Sequence, residues 1–217
     1  MRRRSDTQTG AAEVLCDVPS PIDLHLTADA SEWERSALSK RPWRVEFFAQ
    51  FAAELSARSP PPRRVLELGS GPGFLAEHLL GALPGVNYVL LDFSAAMHQL
   101  ARARLGTLAD RCEFIERSFK EPTWPQGLGC FQAILTNQAV HELRHKRYAA
   151  QLHSEARSLL DDRGSYLVCD HFCGESGMKD DRLYLSVAEQ KQALLSAGFT
   201  SVTQVLLKGG LVLHHAS

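Results

Sequence analysis

Apolar residues change their spacing several times along the chain, and those changes divide it into elements. From Ser31 to about Ala57, Trp33, Ala37, Val45, Phe48, Phe51, Ala52 and Leu55 recur mostly at helical intervals, with Pro42 interrupting them. Two amphipathic helices are expected there, forming a small N-terminal cap over 21–60. The proline run at 60–62 makes an extended break, because prolines forbid helix continuation.

Beyond the break, short apolar runs alternate with helical stretches. Strands are expected at 63–69, 87–92, 112–118, 131–137 and 164–172, with helices at 74–83 and 95–105 between the first three. Ser94 can cap the second of these helices. After the fourth strand, Tyr148, Leu152, Ala156 and Leu160 fall on one helical face. Ser186 and Glu189 form a capping box for a helix that Gly198 ends. The runs 200–207 and 211–216 close on Gly209-Gly210, a fitting two-residue hairpin turn. Alternating strands and helices predict an α/β fold, a doubly wound and mostly parallel sheet over 61–217, with an antiparallel strand at or near one edge.

Residues 1–20 are polar and aperiodic and read as a disordered tail. The opening has charges but no apolar core behind them, so it does not read as a secretory signal. No apolar run approaches the roughly 18 residues needed to span a bilayer. The 24 basic and 25 acidic residues nearly cancel, so no global field draws the chain to nucleic acid or an anionic membrane. The local clusters Arg63-Arg64 and Lys146-Arg147 read as solvated faces. Five scattered cysteines, without a Cys-x-x-Cys pair, suit reduced thiols and a cytoplasmic setting. Cys169 and Cys173 read as packed or incidental.

The first strand runs into Glu67, Gly69, Gly71 and Gly73, and a helix begins at once. The glycines let the backbone turn tightly and let a ligand reach peptide groups without a Cβ in the way. In an open α/β sheet this loop lies beside the crevice where ligands bind. The spacing departs from a dinucleotide fingerprint: the third glycine comes one residue early, Pro72 fills the gap, and Glu67 precedes the loop. A pyrophosphate wants clustered donors and little negative charge nearby. A cationic ligand without phosphate suits Glu67 better. Asp92, at the end of the second strand, can accept ribose hydroxyls.

With these residues the chain resembles the class I S-adenosyl-L-methionine-dependent methyltransferases, from about Arg63 to the C-terminus. The resemblance implies a seven-stranded sheet with a late antiparallel strand. It implies that the Gly69–Gly73 loop passes under the methionine part, that Asp92, followed by Phe93, holds the ribose, and that Met97 packs on the adenine. The family often places an Asp after the third strand to meet the adenine amino group. This chain has Ser118 and Phe119 there, which leaves Ser118 or a backbone group for that contact.

The acceptor side is expected past the ends of strands four and five. Strand four ends in Asn137 and Gln138, which border the cofactor, followed by His141. Strand five ends in Asp170 and His171. His141 is the first candidate for a base, with an ordinary pKa of about 6.5, and a helix-capping histidine is the alternative. His171 is the second candidate. The segment 141–145 also matches His-Glu-x-x-His, a zinc pattern when it lies on a helix, but its place after a buried strand and the want of a third ligand argue against a metal. The aromatic stripe Trp33, Trp43, Phe47, Phe48 and Phe51 reads mostly as core, with a lid as the alternative. The expected activity is methyl transfer from S-adenosylmethionine to a small-molecule acceptor. A silent cofactor-binding sensor or docking module, and a methylase acting on RNA or protein, share the same loop.

Overall fold

The computed structural model describes residues 16–217. Its strands are β1 (Arg64–Leu68), β2 (Asn87–Asp92), β3 (Cys112–Glu116), β4 (Phe131–Asn137), β5 (Leu160–His171), β6 (Val202–Lys208) and β7 (Leu211–Ala216). They form one seven-stranded sheet in the order β3-β2-β1-β4-β5-β7-β6. The first five strands run parallel, and β7 is antiparallel to both β5 and β6. The helices are α1 (Thr27–Lys40), α2 (Arg44–Ser56), α3 (Phe74–Ala82), α4 (Ala95–Leu105), α5 (Ala149–Ser158) and α6 (Val187–Ser196).

The two-residue period of the strands sorts their side chains into two cores. On one face, Leu66, Leu68, Ile134, Tyr166 and Val168 meet Leu152, Ala156 and Leu194 of α5 and α6. On the other, Val65, Leu90, Leu135 and Leu167 meet Phe47, Phe51 and Leu55 of α2 and Leu79 of α3. Burying each of these large side chains is worth about 1.5–3 kcal/mol. So α2 shares the main core, while α1 rests on α4 through Ala30, Ala96 and Met97. The aromatic stripe divides accordingly: Phe47, Phe48 and Phe51 are buried, and Trp33 and Trp43 are half-buried.

Local signals mostly act where the sequence placed them. The Ser94 Oγ accepts the Met97 N–H at 3.1 Å, and the Ser186–Glu189 capping box is complete. Gly209 and Gly210 both take positive φ, as a tight hairpin of this hand requires. Three expectations are corrected. The first helix starts at Thr27 rather than Ser31 and has no side-chain cap. In the 148–160 face, Tyr148 precedes α5 and Leu160 already belongs to β5, because pairing with Phe131 extends that strand backward. The stretch read as a tail is held at its end: Arg144 donates to the carbonyls of Val18 and Pro19 at 2.9 and 2.6 Å, and the Val18 N–H donates to Arg144 O at 2.8 Å. The rest of that expectation, 1–15, lies outside the described residues.

Within the sheet, the β7 residue His214 is buried, and neither ring nitrogen has a partner among the described residues. Burial lowers its pKa to about 4, and burial likewise lowers His153, against the Tyr166 hydroxyl, to about 4. Between pH 6.5 and about 4 the unfolded chain binds protons that the folded chain refuses, so stability falls as pH falls through that window. His214→Met should remove its share. Urea unfolding of both proteins at pH 7.5 and pH 5 is expected to show the variant losing less on acidification, by on the order of 1–2 kcal/mol. Equal losses would contradict a neutral, buried His214.

Candidate functional site

β1 pairs with β2 on one side and β4 on the other, so the strand order reverses between β1 and β4. The loops leaving those two strands diverge and open a crevice at the carboxyl edge of the sheet. The Gly69–Gly73 loop is tied to its neighbour by three backbone donors. Gly69 N and Ser70 N donate to Leu91 O at 2.8 and 3.2 Å, and Gly71 N donates to Asp92 Oδ2 at 2.8 Å. Asp92 Oδ1 accepts the Ser94 N–H at 2.9 Å. One carboxylate therefore fixes both the glycine loop and the start of α4.

The glycines serve different ends. A Cβ on Gly69 would lie 2.4 Å from the Ala139 Cβ, so that glycine lets the loops after β1 and β4 touch. A Cβ on Gly71 would meet nothing within 4 Å, and its φ is +53°: this residue presents bare backbone to open space. Gly73 packs against Ala101 of α4 and does not line the cavity, which corrects its expected role in ligand contact.

The cavity has a volume of about 200 Å³. Glu67, Gly69, Gly71, Asp92, Phe93, Met97, Phe119, Asn137, His141 and His171 all border it. Ser118 instead borders an adjoining cavity, separated from the first by Leu24, Phe93, Phe119 and Glu142. Asn137 and Gln138 both face the main cavity. The Asn137 Oδ1 is buried without a partner among the described residues, and Gln138 takes a positive φ of 59° while its Oε1 accepts two bonds from Arg44.

One end of the cavity is acidic. Burial raises the Glu67 carboxyl to about 8; the Tyr88 hydroxyl, donating at 2.8 Å, opposes the shift and Asp92 adds to it. Asp92 is raised to about 6 by burial, against its backbone donors. S-adenosylmethionine suits this end. Its ammonium and sulfonium would restore the charge balance that burial withholds from Glu67 and Asp92, Asp92 has lone pairs left for ribose hydroxyls, and bare Gly71 admits close approach.

At the other end, His141 Nδ1 lies 2.7 Å from Asp170 Oδ1, and Asp170 Oδ2 accepts the His141 backbone N–H at 2.8 Å. Nε2 lies 3.4 Å from Glu142 Oε1. Burial alone would lower the His141 pKa, but Asp170 and then Glu142 override it and hold the imidazole well above its ordinary value. The expected value of about 6.5 is corrected upward. His171 goes the other way: burial, with His141 and nearby arginines, lowers it to about 3 against Asp170 and keeps it neutral. The rings of His141, His171 and Tyr184 form a triangle with centroids 5.3, 5.5 and 5.9 Å apart.

The segment 141–145 does not form the helix that a zinc pattern needs. Val140–Leu143 is a short 3-10 turn, and Arg144 takes a positive φ of 67°. His145 Nδ1 accepts the Arg147 N–H at 3.1 Å, far in role from His141 on Asp170. Trp33 and Phe48 of the aromatic stripe border the cavity, while sequence reasoning missed Leu24, Arg41, Arg44, Glu142 and Tyr184. A signal existed for Arg44: a basic residue opening a helix opposes the helix dipole and invites explanation.

Two outcomes follow. At pH 7 a cation bound beside Glu67 favours its ionised form, so cofactor binding should release a proton. Calorimetry in phosphate and in Tris should give different heats for the wild type and nearly equal ones for Glu67→Gln; buffer-independent heats in the wild type would contradict the protonated Glu67. Separately, Gly71→Ala should keep the fold and weaken cofactor binding by about tenfold or more, while Gly69→Ala should lower the melting temperature through its clash with Ala139. The reverse pattern would place the ligand elsewhere.

A family model described as a methyltransferase domain matches residues 65–164. The malonyl-[acyl-carrier protein] O-methyltransferase of Legionella pneumophila is 29% identical over 124 residues, which cover 57% of this chain and 41% of that relative. The chain thus spans less than half the length of that relative. Among solved structures, the DhpI-SAH complex aligns with a TM-score of 0.67 at 21% identity, covering 88% of this chain and 92% of that one. An O-methyltransferase family protein from Burkholderia thailandensis aligns with a TM-score of 0.66 at 17% identity, covering 87% of this chain and 61% of that one. The glycine loop, the strand-end Asp92, the strand order and these likenesses agree: residues 65–164 match a methyltransferase domain, and the chain shares its fold with S-adenosylmethionine-dependent methyltransferases.

Proposed function

We propose that this chain transfers the methyl group of S-adenosylmethionine to an oxygen atom of a small-molecule acceptor. The observation that carries the reading is the His141–Asp170 contact of 2.7 Å beside the cavity. The sulfonium methyl is already activated when the cofactor is bound, so the protein's part is to align the acceptor and take its proton. A neutral amine needs no base before attack, whereas a hydroxyl does. Asp170 holds Nδ1–H of His141 and turns Nε2 away from itself, so Nε2 is the atom that takes the hydroxyl proton. The raised basicity of His141 suits a phenol-like hydroxyl, whose own pKa is about 10.

On this reading Glu67, Asp92, Phe93, Met97, Phe119 and Asn137 hold the cofactor, Ser118 borders its far end, and His171 is a neutral hydrogen-bond partner for the acceptor. The cap helices over 21–60 roof the acceptor side through Trp33 and Phe48. The name of the Legionella relative describes O-methylation of a carrier-bound malonyl group; what we carry over is methyl transfer to oxygen. Among the described residues no helix is long and apolar enough to cross a membrane. The five cysteines are all free in the described chain, which supports assigning the protein to the cytoplasm.

His141→Gln should leave cofactor affinity within about threefold and lower turnover by roughly 10²–10⁴. Because His141 must shed a tightly held proton before it can act, wild-type turnover should rise as pH is raised from 7 towards 9, and Asp170→Asn should move that rise to lower pH. Full turnover per folded His141→Gln molecule would remove the base from the mechanism.

A further inference from the structure

Two arginines on the cap meet the cavity with no carboxylate paired to them among the described residues. Arg44 opens α2 and is only 5% exposed. Its Nε and Nη2 donate to Gln138 Oε1 at 3.1 and 2.7 Å, a neutral partner, and its guanidinium lies 5.2 Å from the Trp33 ring centroid. Arg41 caps the end of α1, borders the same cavity, and has no side-chain partner among the described residues. Neither forms an ion pair there, although twelve others are present among those residues.

The cavity's own acids are engaged elsewhere. Glu67 takes the Tyr88 hydroxyl, Asp92 takes Gly71 N and Ser94 N, and Glu142 faces Arg144 and His141. A guanidinium buried among neutral groups is costly unless an anion joins it. Arg44 and Arg41 thus bring two positive charges to the cavity wall, and among the described residues no carboxylate pairs with either.

We propose that Arg41 and Arg44 receive the carboxylate of the methyl acceptor, which makes that acceptor a hydroxy acid with its hydroxyl at His141. The proposal rests on the methyl-transfer reading above and adds the acceptor's chemical class. A guanidinium binds a carboxylate through two parallel N–H donors, and Arg44 keeps the N–H groups of Nη1 and the second N–H of Nη2 for that use. The charge of both arginines is felt at His171, and that of Arg41 at Tyr184, on the acceptor side of the cavity. The lining includes three aromatic side chains, Trp33 beside Arg44, Tyr184 beside His141, and Phe48, which favours a planar hydroxyaryl acid.

The cofactor's methionine part also carries a carboxylate, so the experiment separates the two sources. Full-length protein saturated with S-adenosylhomocysteine is titrated with the three hydroxybenzoates and 4-hydroxycinnamate, each alongside its methyl ester. At least one acid should bind about tenfold or more tightly than its ester, the scale of a charge-assisted pair. Arg41→Gln and Arg44→Gln should each erase most of that preference. Arg41→Gln, which breaks no internal bond, carries the test if Arg44→Gln does not fold. S-adenosylhomocysteine and its decarboxylated analogue are then compared on the wild type and the folded variants. If acids and esters bind alike, or none binds, the proposal fails while the cofactor reading stands. If removing the cofactor's carboxylate weakens binding to the wild type and not to the arginine variants, the arginines belong to the cofactor and the proposal is overturned. If S-adenosylhomocysteine does not bind at all, the methyl-transfer reading falls and takes the proposal with it.

Discussion

The two oxygens of Asp92 hold the chain together where its chemistry is placed. One accepts Gly71 N from the loop after β1, and the other accepts Ser94 N at the start of α4. Both loops leave a parallel pair of strands whose ends lie side by side, so the carboxylate bridges them. The bridge confines the glycine loop, and the confined loop leaves bare backbone facing the cavity. Burial keeps Asp92 partly protonated near neutrality, so a ligand that donates hydrogen bonds or brings positive charge strengthens the arrangement that receives it.

The cavity is electrically divided. Glu67 and Asp92 lie at one end and the His141–Asp170 pair at the other, and Arg41 and Arg44 bring positive charge to the same lining. A positive sulfonium and an acidic acceptor would each find their complement, and each would face repulsion if exchanged. That division turns orientation, which matters most for an in-line transfer, into a matter of charge rather than of shape alone.

Much of this was readable before the fold. The strand ends at Asn137 and Asp92, the Ser94 cap, the Ser186 capping box and the Gly209-Gly210 turn are short-range features, and each lies where its local chemistry put it. Glu67, Gly71 and Asp92 were readable because a tight loop between adjacent strands compresses a three-dimensional site into a few residues. The rest depends on distant contacts. Nothing around Arg44 announces Gln138, 94 positions away, and nothing in Val18 announces Arg144. The basicity of His141 was misjudged because Asp170 reaches it from another strand, 29 positions on. Gly73 looked like its neighbours in the loop, yet it answers to Ala101 of a different helix.

The most direct test of the account is methyl transfer itself. Purified protein is incubated with methyl-labelled S-adenosylmethionine and a fractionated metabolite extract, and the labelled product is identified by mass. The account predicts label in a small hydroxy acid as its methyl ether, with the carboxylate left free. Label in protein or RNA, or none in any fraction that protects the folded protein against heat, would contradict it.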